Sequence, residues 1–237
     1  MPLEPYALSR SGEFMSYYPI LVELTGKKAV VVGGGQVGQR KIETLLKYGA
    51  KVQVISMELT SELMRYMEEG EITYLGSEFS REHIDGAFLV IAATDDPSLN
   101  HDVSACAREK GILVNAVDQP GDCTFIVPSI LERGDLVIAV STSGKSPAMA
   151  KRIRKDLENR YGHEYETFLA LFGKLRGEVL RKGFSQEENK GIFERLANSP
   201  ILEMMRKEEW EGIAVLLSGI LHRPISKERI FEYLKAE

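Results

Sequence analysis

The stretch AVVVGGGQVGQRKIETLLKYGAKVQVIS, Ala29 to Ser56, sets three consecutive glycines between a run of valines and a helical pattern. Glycine lacks a Cβ, so such a turn can take positive φ and let another group approach the main chain closely. Ala29–Val32 is a short apolar, β-branched run that reads as a buried strand. From Val37 onward, Ile42, Leu45, Leu46 and Gly49 recur at helical spacing, with Arg40, Lys41, Glu43 and Lys47 on other faces. Val52–Ile55 reads as a second strand, which completes a βαβ unit. Gly33, Gly35 and Gly38 satisfy G-x-G-x-x-G between that strand and that helix, the context that gives the motif its meaning. The segment Gly33, Gly34, Gly35, Gln36, Val37, Gly38 is therefore the candidate seat of a dinucleotide's pyrophosphate, at the positive end of the helix dipole. A tight turn without a ligand is the plainer alternative.

The acid that holds an adenosine ribose in such units usually lies about 20 residues past the glycines, at the end of the second strand. Here that strand is expected to end at Ser56, followed by Met57 and Glu58. Glu58 is the candidate ribose ligand, and a solvated loop acid is its equal alternative. No arginine stands beside Ser56 to neutralise a 2′-phosphate, which favours NAD over NADP.

With 237 residues the chain can bury a sizeable core in one large or two small domains. Its 43% hydrophobic and 27% charged content is that of an ordinary globular protein. A net charge of −5 argues against nonspecific nucleic-acid binding. No apolar run approaches the ~20 residues of a membrane span. Cys106 and Cys123 are too few for a disulfide framework and read as free thiols in a reducing cytoplasm. Residues 1–14 are Pro- and Ser-bearing without periodicity, and read as a leader or extension outside the fold.

Further along, Ser61–Glu69 reads as helix and Ile72–Leu75 as a short strand. AFLVIAATDD, Ala87 to Asp96, is another buried strand ending in a small-residue loop. Pro97 suits the first turn of a helix running to Gly111, and Ile112–Asp118 is the next strand. Strands and helices alternating in this way imply a parallel, doubly wound, Rossmann-like α/β sheet, with its ligand beyond the carboxyl ends of the strands. Three segments should converge there: Gly33–Gly38, Ala93–Asp96 with Thr94, and Asn115–Asp118. The rhythm then changes. Cys123–Gly144 gives two strand-like runs joined around Arg133-Gly134-Asp135, a β-hairpin suited to pairing two subunits. From Pro147 onward only helical patterns occur, with breaks marked by Gly162, Gly183, Pro200 and Pro224. The expected division is 15–122 for the nucleotide-binding domain, 123–146 for the β segment and 147–237 for the helical domain.

The second chemically loaded stretch is STSGKSPAMAKRIRKDLENRYG, Ser141 to Gly162. Ser146 can cap a helix whose first residue is Pro147. The preceding loop offers Ser141, Thr142, Ser143 and the cation of Lys145. The helix carries Lys151, Arg152, Arg154 and Lys155 near its start. Such a helix start suits carboxylates or phosphates, while a solvated basic face with an ordinary cap is the bland reading.

Taken together, YYPILVELTGKKAVVVGGGQVGQRKIETLLKYGAKVQVIS, LVIAATDDPSLN, VNAVDQPGDCTFIVPSI and VIAVSTSGKSPAMAKRIR resemble the precorrin-2 dehydrogenase family of sirohaem synthesis, the sirohaem synthase N-terminal type. The likeness runs from about Tyr17 to Gly162 and more loosely into the helical tail. It implies NAD-dependent oxidation of precorrin-2 to sirohydrochlorin by a homodimer, and for some members insertion of Fe²⁺ as a substrate metal. The family's key acid maps to Asp118 in NAVDQP, as general base or as a group orienting the macrocycle. Its serine-rich loop maps to Ser141, Thr142 and Ser143, with threonine here at the second place. The substrate is a polycarboxylate, which a hydroxyl loop and cations such as Lys145 and Arg152 would hold. Asp118 has a plain alternative as a turn acid before Pro120.

A regulatory module that senses NAD without turnover would share the glycine fingerprint but would not require Asp118 or the basic helix. A short-chain dehydrogenase would need Tyr-x-x-x-Lys, and no tyrosine here has lysine at that spacing. His83, His101, His163 and His222 are scattered without ligand spacing, so no fixed metal site is expected.

Overall fold

The computed structural model describes residues 17–235, so the leader expected over residues 1–14 lies outside the described residues. Within that span the chain divides into two compact units. The first runs to Val127 and takes in Ser143–Lys145, and the second comprises Pro128–Thr142 and the chain from Ser146 onward.

The first unit is the doubly wound sheet. Its strands are β1 (Lys28–Gly34), β2 (Lys51–Leu59), β3 (Ile72–Gly76), β4 (Leu89–Ala92) and β5 (Leu113–Ala116), with helices α1 (Gln36–Lys47), α2 (Ser61–Glu68) and α3 (Pro97–Glu109). The strands are parallel in the order β3-β2-β1-β4-β5. The order therefore reverses between β1 and β4, and the glycine turn leaves β1 at that switch point. The valine run explains why β1 is central. Val30 and Val32 enter one buried cluster with Val103, Cys106 and Ala107 of α3. Ala29 and Val31 enter the other with Ile42 and Leu45 of α1. Both faces of the strand are covered, so it needs no polar alternation.

β2 runs three residues beyond the expected end at Ser56. Gly34 pairs with Leu59, and the Thr60 amide donates to the Gly34 carbonyl at 3.2 Å. The backbone of the glycine turn itself supplies the pairing that extends the strand. Short 3₁₀ turns at Arg81–Ile84 and Pro120–Asp122 complete this unit.

In the second unit β6 (Ser129–Arg133) and β7 (Leu136–Val140) form an antiparallel hairpin. Arg133 pairs with Leu136, so two residues make the turn, and Gly134 takes φ +54° there. The helices α4 (Pro147–Arg160), α5 (Glu164–Arg181), α6 (Gln186–Ala197), α7 (Ile201–Arg206), α8 (Trp210–Leu221) and α9 (Lys227–Lys235) follow. Leu171 and Leu175 of α5, Leu196 of α6, Ile213 and Leu217 of α8 and Ile230 of α9 share one core and are fully buried. The expected breaks at Gly162, Gly183, Pro200 and Pro224 all fall between helices. A further break, between α7 and α8, carries neither glycine nor proline: Glu208 takes φ +56° there. No helix among the described residues is long and apolar enough to cross a membrane.

Candidate functional site

The glycines of the turn do different jobs. Gly33 has φ +114°, and a Cβ there would lie 2.4 Å from the Ala93 carbonyl oxygen. A Cβ on Gly34 would lie 2.6 Å from the Glu58 carbonyl oxygen. Both serve close packing of backbone on backbone. Gly35 differs: a Cβ there meets nothing within 4 Å, and the residue is exposed. Gly35 is also the N-cap of α1, where no side chain caps the helix and no acid stands in the first turn. Gln36 and Val37 are exposed beside it. Among the described residues, the orphan N–H groups of the first turn thus have no capping side chain, and Gly35 leaves the helix start open.

Ser56 bridges the turn to β2. Its hydroxyl accepts from the Gly34 amide at 2.8 Å and donates to the Glu58 carbonyl at 2.6 Å. Met57 and Glu58 are exposed on the extended end of β2. The Glu58 carboxylate makes no hydrogen bond or ion pair among the described residues, and so can receive a ribose diol.

The strand ends are tied together as expected. The Ala93 amide donates to Val32 O at 2.7 Å and the Val117 amide to Ala92 O at 2.9 Å. Thr94 is held by Asn100 of α3, whose Oδ1 accepts from the Thr94 amide at 3.1 Å and from its hydroxyl at 2.8 Å. The Asn100 amide returns a bond to Thr94 O at 3.0 Å. Sequence reading missed Asn100. Its signal was available: a buried amide in the first turns of the helix that follows a small-residue loop. Asn115 faces the returning chain, with Nδ2 donating to the Phe125 carbonyl at 3.1 Å. Its amide thereby fastens β5 to the segment that leaves the sheet.

Asp118 follows β5 with φ +58°, one of four non-glycine residues in the left-handed region among the described residues. That conformation costs on the order of 1–3 kcal/mol, and persists where its surroundings over-determine it. The side chain is exposed, and its carboxylate has no hydrogen-bond partner among the described residues. A strained backbone thus presents a carboxylate to solvent at the carboxyl edge of the sheet.

Three neighbouring groups are shifted by burial. Lys41 of α1 is half-buried, and desolvation holds its ammonium below the usual lysine range. Burial pushes the Cys123 thiol and the Tyr17 phenol up. Cys123 Sγ lies 3.3 Å from the Ala116 amide and 3.2 Å from the Ala116 carbonyl. Cys106 and Cys123 are both free and buried.

In the second loaded stretch, Ser146 caps α4 as expected, its hydroxyl accepting from the Met149 amide at 3.3 Å. Thr142 Oγ1 accepts from the Ser146 amide at 3.0 Å, so the threonine shapes the cap. Ser143 and Gly144 turn the loop with φ +51° and +80°. Ser141, Lys145, Lys151, Arg152 and Lys155 are exposed, whereas Arg154 pairs with Glu158 one turn on. No group of three or more His, Cys, Asp or Glu among the described residues could hold a metal ion.

The switch-point glycine turn, uncapped α1 and tied strand ends define a Rossmann unit of the dinucleotide-binding kind. A family model described as "Putative NAD(P)-binding" matches residues 20–129, and one described as "Sirohaem biosynthesis protein central" matches residues 133–160. The chain is 42% identical over 184 residues to a sirohaem synthase of Photorhabdus laumondii, covering 78% of this chain and 39% of the relative. A sirohaem synthase of Nitrosomonas eutropha is 38% identical over 193 residues, covering 81% and 40%. The solved structure of SirC, a precorrin-2 dehydrogenase, superposes with a TM-score of 0.70 at 24% identity, covering 87% of this chain and all of that one, and so has the same fold. The chain belongs to the sirohaem-synthase family, and spans about two fifths of the length of the curated relatives it matches.

Proposed function

We propose that this chain oxidises precorrin-2 to sirohydrochlorin with NAD. The observation that carries the reading is Asp118: an exposed carboxylate without a hydrogen-bond partner among the described residues, in a left-handed backbone, on a strand end tied through β4 to the end of β1. The residues suit the cofactor. Among the described residues, a Cβ on Gly35 would meet nothing within 4 Å, no side chain caps the first turn of α1, and the Glu58 carboxylate has no other partner. NAD supplies the hydride acceptor when bound. The oxidation removes two hydrogens, one as hydride and one as a proton. Asp118 takes the proton as general base. The substrate's carboxylates suit the exposed cations Lys145 and Arg152 and the hydroxyls of Ser141 and Ser143.

Insertion of Fe²⁺ as a substrate metal would release the pyrrole protons, and the same carboxylate can accept them. In functional terms residues 15–122 would hold the cofactor, 123–146 pair two subunits and 147–237 complete the helical part. Support for a homodimer comes from the β6–β7 sheet, which among the described residues has no further strand on either edge, and from its exposed Val137. Free, buried cysteines accord with the reducing cytoplasm.

The test supplies precorrin-2 and NAD to purified protein and follows NADH absorbance. Turnover is expected. NAD binding without NADH formation would overturn the reading and leave a sensing module.

A further inference from the structure

The loop that carries Asp118 is fastened along one side of α3. Gln119 Nε2 donates to the Pro97 carbonyl at 2.9 Å. Arg108 Nη2 donates to the carbonyls of Gly121, at 2.9 Å, and Cys123, at 3.2 Å. Between these anchors stands Asp122, only 5% exposed. His101 Nδ1 lies 3.0 Å from Asp122 Oδ1. The Ser104 hydroxyl donates to the Asp122 carbonyl, and the Asp122 amide donates to Gln119 O at 2.9 Å. Asp122 is thus held at its side chain, its carbonyl and its amide.

We infer that His101 and Asp122 form a positioning dyad, which fixes the loop so that the Asp118 carboxylate stays in its productive direction. The inference rests on the reading of Asp118 as proton acceptor. In the inferred dyad the imidazole donates from Nδ1 and the Asp122 carboxylate accepts. A charge-assisted bond of this kind is directional and stronger than a neutral one. Asp122 lies one 3₁₀ turn beyond Gln119, the residue that follows Asp118, so a shift at Asp122 passes through few rotatable bonds. A left-handed residue relaxes when its neighbours are released. Without the dyad, Asp118 can leave the left-handed region and carry its carboxylate away. The role differs from that of Asn100, which holds the Thr94 loop.

The experiment compares wild type, His101→Leu and His101→Gln in the full chain. Glutamine keeps an amide donor for Asp122, whereas leucine keeps bulk alone. Expected for His101→Leu is a fall in kcat on precorrin-2 of about tenfold or more, from a misdirected base. KM for NAD and the thermal midpoint should stay near wild type, and His101→Gln should recover most of kcat. A wild-type kcat in His101→Leu overturns the proposal. So does a joint loss of kcat, NAD binding and stability, which would mark a purely structural contact, and so does a failure of glutamine to rescue. Amide hydrogen exchange at Gln119–Cys123 supplies a readout without substrate. It should speed up in His101→Leu while β1 and β4 stay protected, and unchanged exchange overturns the dyad. A wild-type protein inert on precorrin-2 would overturn the dehydrogenase reading, whereas the exchange data test the dyad alone.

Discussion

A Cβ on Gly38 would lie 2.0 Å from the carbonyl oxygen of Gly33, whereas a Cβ on Gly35 would meet nothing within 4 Å. Two glycines of one motif therefore answer to different demands. Gly38 lets α1 approach the end of β1, whereas no packing contact among the described residues requires glycine at Gly35. Gly38→Ala should destabilise the fold by about 1–3 kcal/mol, since backbone rather than a flexible side chain must move. Gly35→Val should fold with a wild-type urea midpoint yet show no calorimetric heat with NAD at concentrations that saturate wild type. Normal NAD affinity in Gly35→Val would remove the pyrophosphate from this turn.

Asn100 offers a separate test of how the site is braced. Its side chain makes three hydrogen bonds to Thr94 and is 3% exposed. Asn100→Ala leaves the Thr94 amide and carbonyl without those partners and should cost about 1–3 kcal/mol in a urea titration. Asn100→Asp keeps the acceptor and loses the donor, so it should fall between the two. Equal midpoints in all three proteins would mean that water replaces the side chain at no cost.

The parallel sheet was legible because its strands are continuous apolar runs and its turns carry glycine or proline at the required places. The glycine turn and the cap at Ser146 were legible for the same reason: local backbone demands select particular residues. What escaped the sequence depends on partners distant in the chain. β2 extends past Ser56 because Gly34 offers a pairing edge, which no pattern within β2 announces. The break at Glu208 lacks any helix-breaking residue type. Asp122 and Lys41 read as ordinary polar positions until tertiary packing brings His101 and Cys123 beside them.

Lys41 makes a prediction about pH. Burial lowers its pKa in the folded protein, so between that value and the ordinary lysine value the unfolded chain carries the extra proton. Stability from this group is complete above the ordinary lysine pKa, and is lost as pH falls through the folded value. Cys123 and Tyr17 act in the opposite sense, because burial raises both. Lys41→Met removes only the lysine contribution. Urea midpoints measured from neutral to alkaline pH should rise less steeply, or fall more steeply, in the variant than in wild type. Parallel curves would show that the ammonium is fully hydrated.

The proposed role of Asp118 can be tested directly. If it accepts the proton, Asp118→Ala should lose roughly 10²-fold or more in NADH formation while NAD affinity holds, within the usual range for general-base catalysis. Asp118→Asn keeps the shape and removes the charge, so it separates orientation from proton transfer. Asparagine also tolerates the left-handed backbone, which alanine adopts at greater cost. Wild-type turnover in the asparagine variant would therefore reduce Asp118 to a turn residue. Rates of NADH formation from precorrin-2 and of sirohaem formation from sirohydrochlorin with Fe²⁺ must be measured separately. Loss of both assigns the carboxylate to both proton removals. Loss of Fe²⁺ insertion alone would move its role to chelation and leave the dehydrogenation to another base.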